Sequence, residues 1–581
     1  MNNRFLKFVK EQGMKKLLSI GFILLTFGVY AQQLDKLNLK GMLKKGIKVS
    51  GGVSLANNFY SVVGTPNRLN PYSYMFTGNL SATVFGIAVP VTFSFSNQNY
   101  GFRQPYNIIG ASPTYKRCTF HIGYRNLTFS PYSLNGHNFL GGGFEYKGDK
   151  FAVMIMSGRL LKAVNYDSTN KNALPAYEQV GAGIKLSYRN KGDEISLSNF
   201  YAKDLINSIN NVPASLGLTP MENVVWGLTG KKQLGSKFSL MADYGRSALT
   251  QDLLAQPISK TSDVAYSPVF YVHWNQSTVV YNAIKLNANY KFKKLSVGAG
   301  YERVDPGYRT LGAYYFNNDL ENVTLNTSLA LLKGKVSIAA NGGLQRDDLS
   351  NTKASSMKRT VGSVSVNMNP TKRFNISLSY SNFYSFVNVK PIENQFLPNA
   401  RTDTLNYTQI SQTVNASVSY KILENDYTSK MIRFSSSDMM ASSHQASNNQ
   451  TNGLINGALV YNQAWKKSGA NMGLSLNANE GKYVGSNSLY LGLGINGGMP
   501  VFHKKLRTNL GFNVNQNTEG STVVADLIAI NNSYTYKLGK HQSMSANLRY
   551  TGRIKLANAV DSNYNTNFNE FYGTILYSYS F

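Results

Sequence analysis

Residues 571–581, the last of the chain, alternate apolar or aromatic side chains with mostly small or polar ones, and the final residue is a phenylalanine. Successive side chains of a β-strand point to opposite faces of the sheet. One face therefore carries Phe571, Gly573, Ile575, Tyr577, Tyr579 and Phe581, and the other carries Thr574, Ser578 and Ser580. The first face suits lipid and the second suits water, so this strand is expected at a membrane.

This ending resembles the C-terminal signal by which the bacterial barrel-assembly machinery recognises its clients. That signal has a terminal aromatic residue with aromatic or apolar residues two, four and six positions earlier, which here are Phe581, Tyr579, Tyr577 and Ile575. The resemblance implies a multi-pass β-barrel of the bacterial outer membrane. Its expected partners are the assembly machinery, outer-membrane lipid and lipopolysaccharide.

The N-terminal region has the pattern of a secretory signal peptide. Lys15 and Lys16 precede an apolar run over 17–30, and Ala31 provides a small residue for cleavage. The run is shorter than the ~20 residues that a spanning helix needs. We therefore predict residues 1–31 as a signal peptide cleaved after Ala31, with translation beginning at Met1 or Met14.

Composition supports an all-β membrane protein. After the leader, the sequence has no apolar run long enough for a membrane helix, and only helices and closed barrels satisfy the backbone in hydrocarbon. The chain contains 50 Gly, 38 Tyr and 30 Phe, and only 15% of its residues are charged. Cys118 is the single cysteine, so no internal disulfide is possible. These features fit strands that face lipid on one side and water on the other.

The formal net charge of +30 is unusually high. Three locations are compatible with it: the lumen, where it would favour anions; the outer loops, where it would meet anionic polysaccharide; or the periplasmic turns. Nucleic-acid binding is not expected, because the chain is exported and has no recognition motif.

The body of the chain has the pattern of a series of hairpins with alternating short and long connections. Short connections at 147–150, 190–193, 333–335 and 369–373 contain turn residues and are predicted to be periplasmic. We predict a single antiparallel barrel over 47–581 with about 24 strands, an even number. The segment 32–46 remains open between a plug, a first strand and a periplasmic tail.

Longer polar stretches are predicted to be extracellular loops. They lie at about 97–117, 158–178, 203–222, 247–277, 304–322, 385–410, 436–452 and 552–568. Ser, Asn, Asp, Gln, His and Met dominate 435–452, so that stretch is predicted to be mobile. The spacing of apolar residues in 202–209 favours a short helix within its loop.

Residues 74–146 differ from the other hairpins because Pro, Gly, Tyr and His recur within them. The segment resembles a family of Bacteroidota outer-membrane barrel proteins with the pattern PxYK…HxGYRN…FSPYxLxGHxFxGGG. The positions that fill this pattern include Tyr115, Lys116, His121, Arg125, Tyr132 and His137. The resemblance supports class, lineage and location, and it brings no assigned activity.

Alternation places His121 and Arg125 with Thr119 and Gly123, opposite Phe120, Ile122 and Tyr124, so they are predicted to point into the lumen. A charged side chain facing lipid would cost ~2–4 kcal/mol at the midplane. Two interpretations remain. The six residues Tyr115, Lys116, His121, Arg125, Tyr132 and His137 form a basic, aromatic surface for a substrate or partner, or Arg125 and His137 hydrogen-bond a folded-in loop to the wall.

No motif for a metal site, a phosphate loop or a serine nucleophile occurs, and no cofactor is expected. The leading hypothesis is a non-enzymatic, porin-like conduit for anionic or polysaccharide-derived solutes. The second is a barrel with a plugged lumen that anchors or helps export a surface protein, with 97–143 as the docking or plugging element. The third is an enzyme at the outer rim, which would require a Ser or an acid paired with His in space.

Overall fold

The structure is a computed structural model that describes residues 47–84, 87–97, 107–168, 174–210, 212–258, 270–314, 317–350, 358–387, 407–445, 448–483, 486–556 and 566–581. The predicted signal peptide 1–31 and the segment 32–46 both lie outside the described residues.

The described chain is almost entirely β-strand. The first strands are β1 (Ile47–Val63), β2 (Tyr72–Val84), β3 (Ile87–Ser96), β4 (Ile108–Ala111), β5 (Thr114–Tyr115), β6 (Cys118–Thr128), β7 (Asn135–Lys147), β8 (Phe151–Leu161) and β9 (Glu178–Asn190). The middle strands are β10 (Asp193–Leu205), β11 (Glu222–Leu234), β12 (Phe238–Thr250), β13 (Thr278–Lys291), β14 (Leu295–Val304), β15 (Leu320–Leu331), β16 (Val336–Arg346), β17 (Lys358–Thr371) and β18 (Phe374–Val387). The last strands are β19 (Tyr407–Glu424), β20 (Thr428–Gln445), β21 (Asn448–Trp465), β22 (Ala470–Tyr483), β23 (Ser486–Val501), β24 (Leu506–Glu519), β25 (Thr522–Lys537), β26 (Gln542–Lys555) and β27 (Phe568–Ser580). Short 3-10 helices occur at Ile206–Ser208, Ala214–Leu216 and Leu332–Gly334.

Each strand pairs antiparallel with its neighbours in sequence, and the sheet closes on itself. β1 pairs with β27 from Gly52 opposite Ser580 to Val63 opposite Asn569. β4 and β5 share one place between β3 and β6. The result is a closed barrel of 26 strands. The predicted all-β barrel with an even strand number is confirmed, although the sequence pattern gave about 24 strands.

Two loop predictions are wrong. Residues 97–117 were expected to form an extracellular loop, but in their described part 108–111 and 114–115 are strands β4 and β5 of the wall, and 116–117 form the periplasmic turn to β6. Residues 435–452 were expected to form a mobile loop, but 435–445 and 448–452 pair as the ends of β20 and β21, with Ser437 opposite Asn456 and Ala441 opposite Asn452. Polar side chains do not prevent ladder formation when both strands continue an existing hairpin, because the backbone supplies the hydrogen bonds. The predicted helix in 202–209 is likewise limited to the three residues Ile206–Ser208.

The two faces of the barrel differ in chemistry. Exposed apolar side chains alternate along the strands on the outer face, such as Leu491, Leu493 and Ile495 of β23, which are 51%, 64% and 49% exposed. The predicted hairpin around Pro370 is present as β17 and β18, where Val364 pairs with Tyr380 and Val366 with Leu378. The side chains between these apolar residues point inward, and serine and asparagine are frequent among them. Among the described residues, no helix is long and apolar enough to cross a membrane.

Connections alternate in length as the sequence predicts. β9 and β10 are joined by Lys191 and Gly192, whose φ angles of 48° and 96° suit the tight hairpin turn that needs two positive φ values. The predicted short turns at 147–150, 333–335 and 369–373 also join consecutive strands. Because short turns of such barrels face the periplasm, the opposite end with the longer connections is extracellular.

Candidate functional site: a loop seated on the inner wall

The connection between β6 and β7, residues 129–134, folds back against the inner face of the barrel. Phe129, Tyr132 and Leu134 are 1%, 2% and 0% exposed. Phe129 and Leu134 join one buried cluster with wall residues Phe139 and Phe200. We call residues 129–134 the seated loop.

Glycines on the inner wall make room for the seated loop. A Cβ atom at Gly183 of β9 would lie 2.6 Å from the Phe129 ring, and one at Gly245 of β12 would lie 2.5 Å from the Cβ of Tyr132. A Cβ at Gly227 of β11 would come within 3.1 Å of the Ser130 hydroxyl. A larger residue at Gly183 or Gly245 would collide with the loop, so at these two places the loop fits the wall only because the wall residue is glycine.

Hydrogen bonds fix the seated loop to the wall at both ends. The Lys185 ammonium of β9 donates to the carbonyl of Phe129 at 2.6 Å. The Tyr132 hydroxyl donates to the carboxylate of Glu302 on β14 at 2.7 Å, and Lys285 of β13 donates to the same carboxylate at 3.2 Å. These contacts place the loop across the strands between β9 and β14.

A second loop, 305–314, covers the first one. The Tyr308 hydroxyl donates to the carbonyl of Tyr132 at 2.6 Å, and the Thr310 hydroxyl donates to the carbonyl of Ser133 at 2.8 Å. Burial raises the pKa of Tyr308, so its hydroxyl remains a donor across the physiological range. The wall holds this loop too, because Ser247 donates to the carbonyl of Arg309 at 2.7 Å.

Of the six predicted site residues, only Tyr132 and His137 lie in this assembly. The His137 ring stacks on Tyr314 with 4.0 Å between ring centroids, and the Tyr314 hydroxyl accepts a hydrogen bond from the Asn138 amide at 2.9 Å. Tyr115 and Lys116 lie far from them, at the periplasmic turn between β5 and β6. The predicted 97–143 plug is therefore mostly barrel wall within its described part, and only 129–134 folds inward.

His121 lies on the inner face near the periplasmic end, between two polar partners. Its Nε2 is 2.8 Å from the Glu145 carboxylate, and its Nδ1 is 2.9 Å from the Ser112 hydroxyl. When the neutral ring donates through Nε2, Nδ1 accepts from Ser112. Lys147 also pairs with Glu145 at 2.7 Å. This chain of side chains has the order of a hydrolytic triad, but His121 and Glu145 belong to the wall strands β6 and β7, and Ser112 lies in the break between β4 and β5.

Arg125 closes a gap in the wall. Pro113 interrupts the strand between β4 and β5, and neither it nor Pro90 on β3 has an amide hydrogen to donate. The Arg125 guanidinium donates to the Thr92 hydroxyl at 2.7 Å, to the Pro90 carbonyl at 3.2 Å and to the Gly110 carbonyl. Arg125 of β6 thus connects the wall strands β3 and β4 to its own strand, and it does not hold a loop against the wall.

The inner wall opposite the seated loop is lined by amides and hydroxyls. A shallow depression on β18–β22 has only Ser, Asn, Ala and Gly side chains in its lining. Inward-facing pairs hydrogen-bond across strands: Ser377 to Asn367 at 2.8 Å, Asn477 to Asn515 at 2.7 Å and Asn509 to Ser533 at 3.1 Å. Arg433 of β20 is a charged exception on this wall.

Basic residues concentrate at the periplasmic turns. The turn residues include Lys116, Arg117, Lys150, Lys191, Lys237, Lys293, Lys294, Lys333, Lys335, Lys372, Arg373, Lys466, Lys467, Lys504, Lys505 and Lys540. Asp149 and Asp426 are the carboxylates of the described turns. At the extracellular end, the described loops carry Arg68, Lys162 and Arg309 against Asp167, Asp252, Asp305, Asp319, Asp347 and Asp348.

A third feature, which the sequence pattern did not predict, lies on the outer face near the extracellular rim. Residues 270–275 fold over β10–β12 and bury Phe270 and Val272. Beneath them Glu222 is 0% exposed and accepts from the Tyr201 hydroxyl and the His273 amide, both at 2.6 Å. Burial raises the pKa of Tyr271 in this segment to about 12. Only the long polar stretch 247–277 had been predicted here.

Comparison with known proteins gives distant likenesses. The translocation pore of the P pilus usher PapC is 10% identical at a TM-score of 0.35, with 92% of this chain and 99% of the pore covered. An anion-selective porin from Comamonas acidovorans is 12% identical at a TM-score of 0.26, with 62% of this chain and 100% of the porin covered. OccD1 (OprD) is 10% identical at a TM-score of 0.33, with 75% of this chain and 96% of OccD1 covered. No family model and no curated protein matches the chain.

These scores and identities are too low to say anything of function. The closed sheet with its outward apolar side chains is decisive for class and location, because only such a barrel can satisfy its backbone in a bilayer without helices. The protein is a bacterial outer-membrane β-barrel. The outward face of this barrel meets lipid, and the seated loop and the amide-lined wall face each other across its lumen.

Proposed function

We propose that the barrel is a porin-like conduit for uncharged, polyhydroxylated solutes such as polysaccharide-derived sugars. The observation that carries the proposal is the composition of the inner wall of β16–β25. Many of its inward-facing side chains are Ser and Asn rather than charged residues, as at Ser379, Asn415 and Asn477. Amide and hydroxyl groups donate and accept hydrogen bonds equally well, as sugar hydroxyls require.

The distribution of charge favours this solute class over anions. If the excess positive charge lined the lumen, it would attract anions along the whole path. The turns instead hold much of it, for example at Lys293, Lys372 and Lys504. Any selectivity for anions would then arise at the periplasmic mouth and would weaken with salt.

The seated loop has a role in this proposal. A barrel of 26 strands encloses more space than wall side chains can fill. The loop 129–134 and its cover 305–314 narrow that space from one side and are held by buried contacts rather than by exposed ones. We assign them the role of a fixed constriction, with the amide-lined wall as the opposite side of the solute path.

Planar bilayers containing the purified protein test the proposal. We expect steady single-channel conductance with weak ion selectivity, and a concentration-dependent reduction of current by neutral oligosaccharides. A matched variant, N477D/N515D, places negative charge on the amide wall and should weaken the sugar block while raising cation selectivity. Silence from folded, heat-modifiable protein, or current that sugars leave unchanged, would contradict the proposal.

We also propose that the protein is not an enzyme, although Ser112, His121 and Glu145 follow one another as in a hydrolytic triad. Lys147 pairs with Glu145 and so weakens its effect on the imidazole. The Ser112 amide donates to the Pro90 carbonyl at 2.9 Å, which makes this residue part of the interrupted strand. These contacts are explained if Ser112, His121 and Glu145 hold the strands of the wall together where the strand between β3 and β6 is interrupted.

A further inference from the structure

The barrel has a ring of cations at its periplasmic end, made by the turns rather than by one patch. Lys or Arg occurs in the turns from β5–β6 to β25–β26, and the turn between β19 and β20 is flanked by Lys421 and Lys430 instead. We call the Lys and Arg residues of these turns the basic ring. Its members at the three consecutive turns 292–294, 332–335 and 372–373 are exposed.

Carboxylates neutralise only part of the basic ring. Arg117 pairs with Asp149 at 2.5 Å and Lys466 pairs with Glu424 at 2.5 Å. The turns at 292–294, 332–335 and 372–373 contain no acidic residue at all. A continuous arc below β13–β18 therefore carries concentrated positive charge.

Exposed aromatic side chains accompany the basic ring at the same level. Phe292 lies beside Lys293 and is 55% exposed, Phe502 lies in the turn with Lys504 and is 71% exposed, and Tyr427 is 58% exposed. Lys467 lies over the Tyr427 ring, with 4.3 Å from its Nζ to the ring centroid. Aromatic side chains collect where a bilayer meets water, so these turns lie at the level of the lipid headgroups.

We infer that the basic ring binds anionic phospholipid headgroups of the periplasmic leaflet. Lipid surrounds a barrel, and the basic ring follows the periplasmic edge over the turns from β5–β6 to β25–β26, whereas a soluble acidic partner would match one localised patch. Each phosphate would accept hydrogen bonds from Lys or Arg while the neighbouring aromatic ring contacts the glycerol and upper acyl region. The inference goes beyond the proposed conduit and does not depend on it.

The experiment uses the full-length mature protein, purified in detergent and incubated with mixed micelles of phosphatidylglycerol and phosphatidylcholine. Native mass spectrometry then counts the lipids of each class that remain bound. The test variant K294Q/K333Q/K372Q removes one charge from each of three neighbouring turns. The control R68Q/K162Q/K482Q removes three charges from the extracellular end. Heat-modifiability on gels verifies that all three proteins are folded.

We expect wild type and control to retain phosphatidylglycerol in preference to phosphatidylcholine. The turn variant should lose roughly fivefold or more of that preference, and high salt should reduce the preference of the wild type similarly. Equal retention of the two lipids by folded wild type overturns the inference. So does a turn variant that is indistinguishable from the control. Should K294Q/K333Q/K372Q be recovered unfolded, the single variants K294Q and K372Q and the salt dependence of wild type decide the matter.

Discussion

The hydroxyl of Tyr132 donates a 2.7 Å hydrogen bond to Glu302, a residue 170 positions further along the chain. Tyr132 belongs to the connection after β6 and Glu302 to β14, so the bond crosses the inner face of the strands between them. Gly245 on β12 lies beneath this crossing. The seated loop is therefore held across several strands of the wall. Its removal should widen the lumen and leave the pairing of the barrel strands intact.

Replacing Gly245 with valine should dislodge the seated loop. A Cβ there would lie 2.5 Å from the Tyr132 Cβ and 2.7 Å from the Tyr308 hydroxyl, so the loop has to move or the wall has to distort. We expect folded protein with a larger single-channel conductance. Gly230→Val is the control, because a Cβ at Gly230 meets nothing within 4 Å. Unchanged conductance in folded Gly245→Val would show that the loop does not narrow the path.

Replacing Tyr132 with phenylalanine should destabilise the seated loop without opening it fully. Glu302 would lose one of its two hydrogen-bond donors and keep Lys285. Leaving a partly buried carboxylate short of a partner costs about 1–3 kcal/mol. Urea unfolding in lipid vesicles measures this cost, with the exposed Tyr534→Phe as the matched control. Equal midpoints for the two variants would mean that the bond to Glu302 contributes nothing.

Ser112 should not react with fluorophosphonate probes. A serine of a working triad is activated by its histidine and is labelled rapidly. Ser112 has the histidine contact, yet Lys147 offsets the charge of Glu145 and the Ser112 amide is tied to Pro90. Mass spectrometry of labelled protein, with denatured protein as a blank, checks this expectation. Labelling of Ser112 that disappears in His121→Asn would instead establish a hydrolytic site.

Period-two alternation predicts the barrel because lipid and water impose it on every strand. The hairpin from Val364 to Tyr380 has this alternation on both strands, and its predicted pairing is confirmed. The boundary between strand and loop was predicted wrongly where the alternation fades, as at Ser437 and Asn456, since polar residues there still pair in the ladder. Alternation shows which side chains of a strand face lipid and which face the lumen, but it does not show where the strand ends and the loop begins.

The seated loop was harder to predict than the wall. Phe129, Tyr132 and His137 stand out in the sequence, but the loop 305–314 that covers them has no comparable signal. Gly183, Gly227 and Gly245 are three inward glycines among many, and only register shows that they lie beneath one loop. The location of the positive charge was also open, because composition does not distinguish turns from lumen.

Phe581 should be needed for assembly rather than for stability. Phe581 is 48% exposed on the outer face, with its ring centroid 4.8 Å from that of Tyr579 and its amide bonded to the Gly51 carbonyl at 2.9 Å. In Phe581→Ala the backbone bond remains and only an exposed ring is lost, so the folded barrel should unfold at nearly the wild-type urea concentration.

Phe581→Ala lacks the aromatic residue of the predicted assembly signal, so we expect severalfold less heat-modifiable barrel in the outer membrane of expressing cells. Ser580→Ala, one position earlier on the opposite face, is the control. Wild-type amounts of Phe581→Ala in the membrane would contradict the prediction that Phe581 is part of an assembly signal. A large fall in the unfolding midpoint of the small amount that does assemble would assign Phe581 a structural role instead.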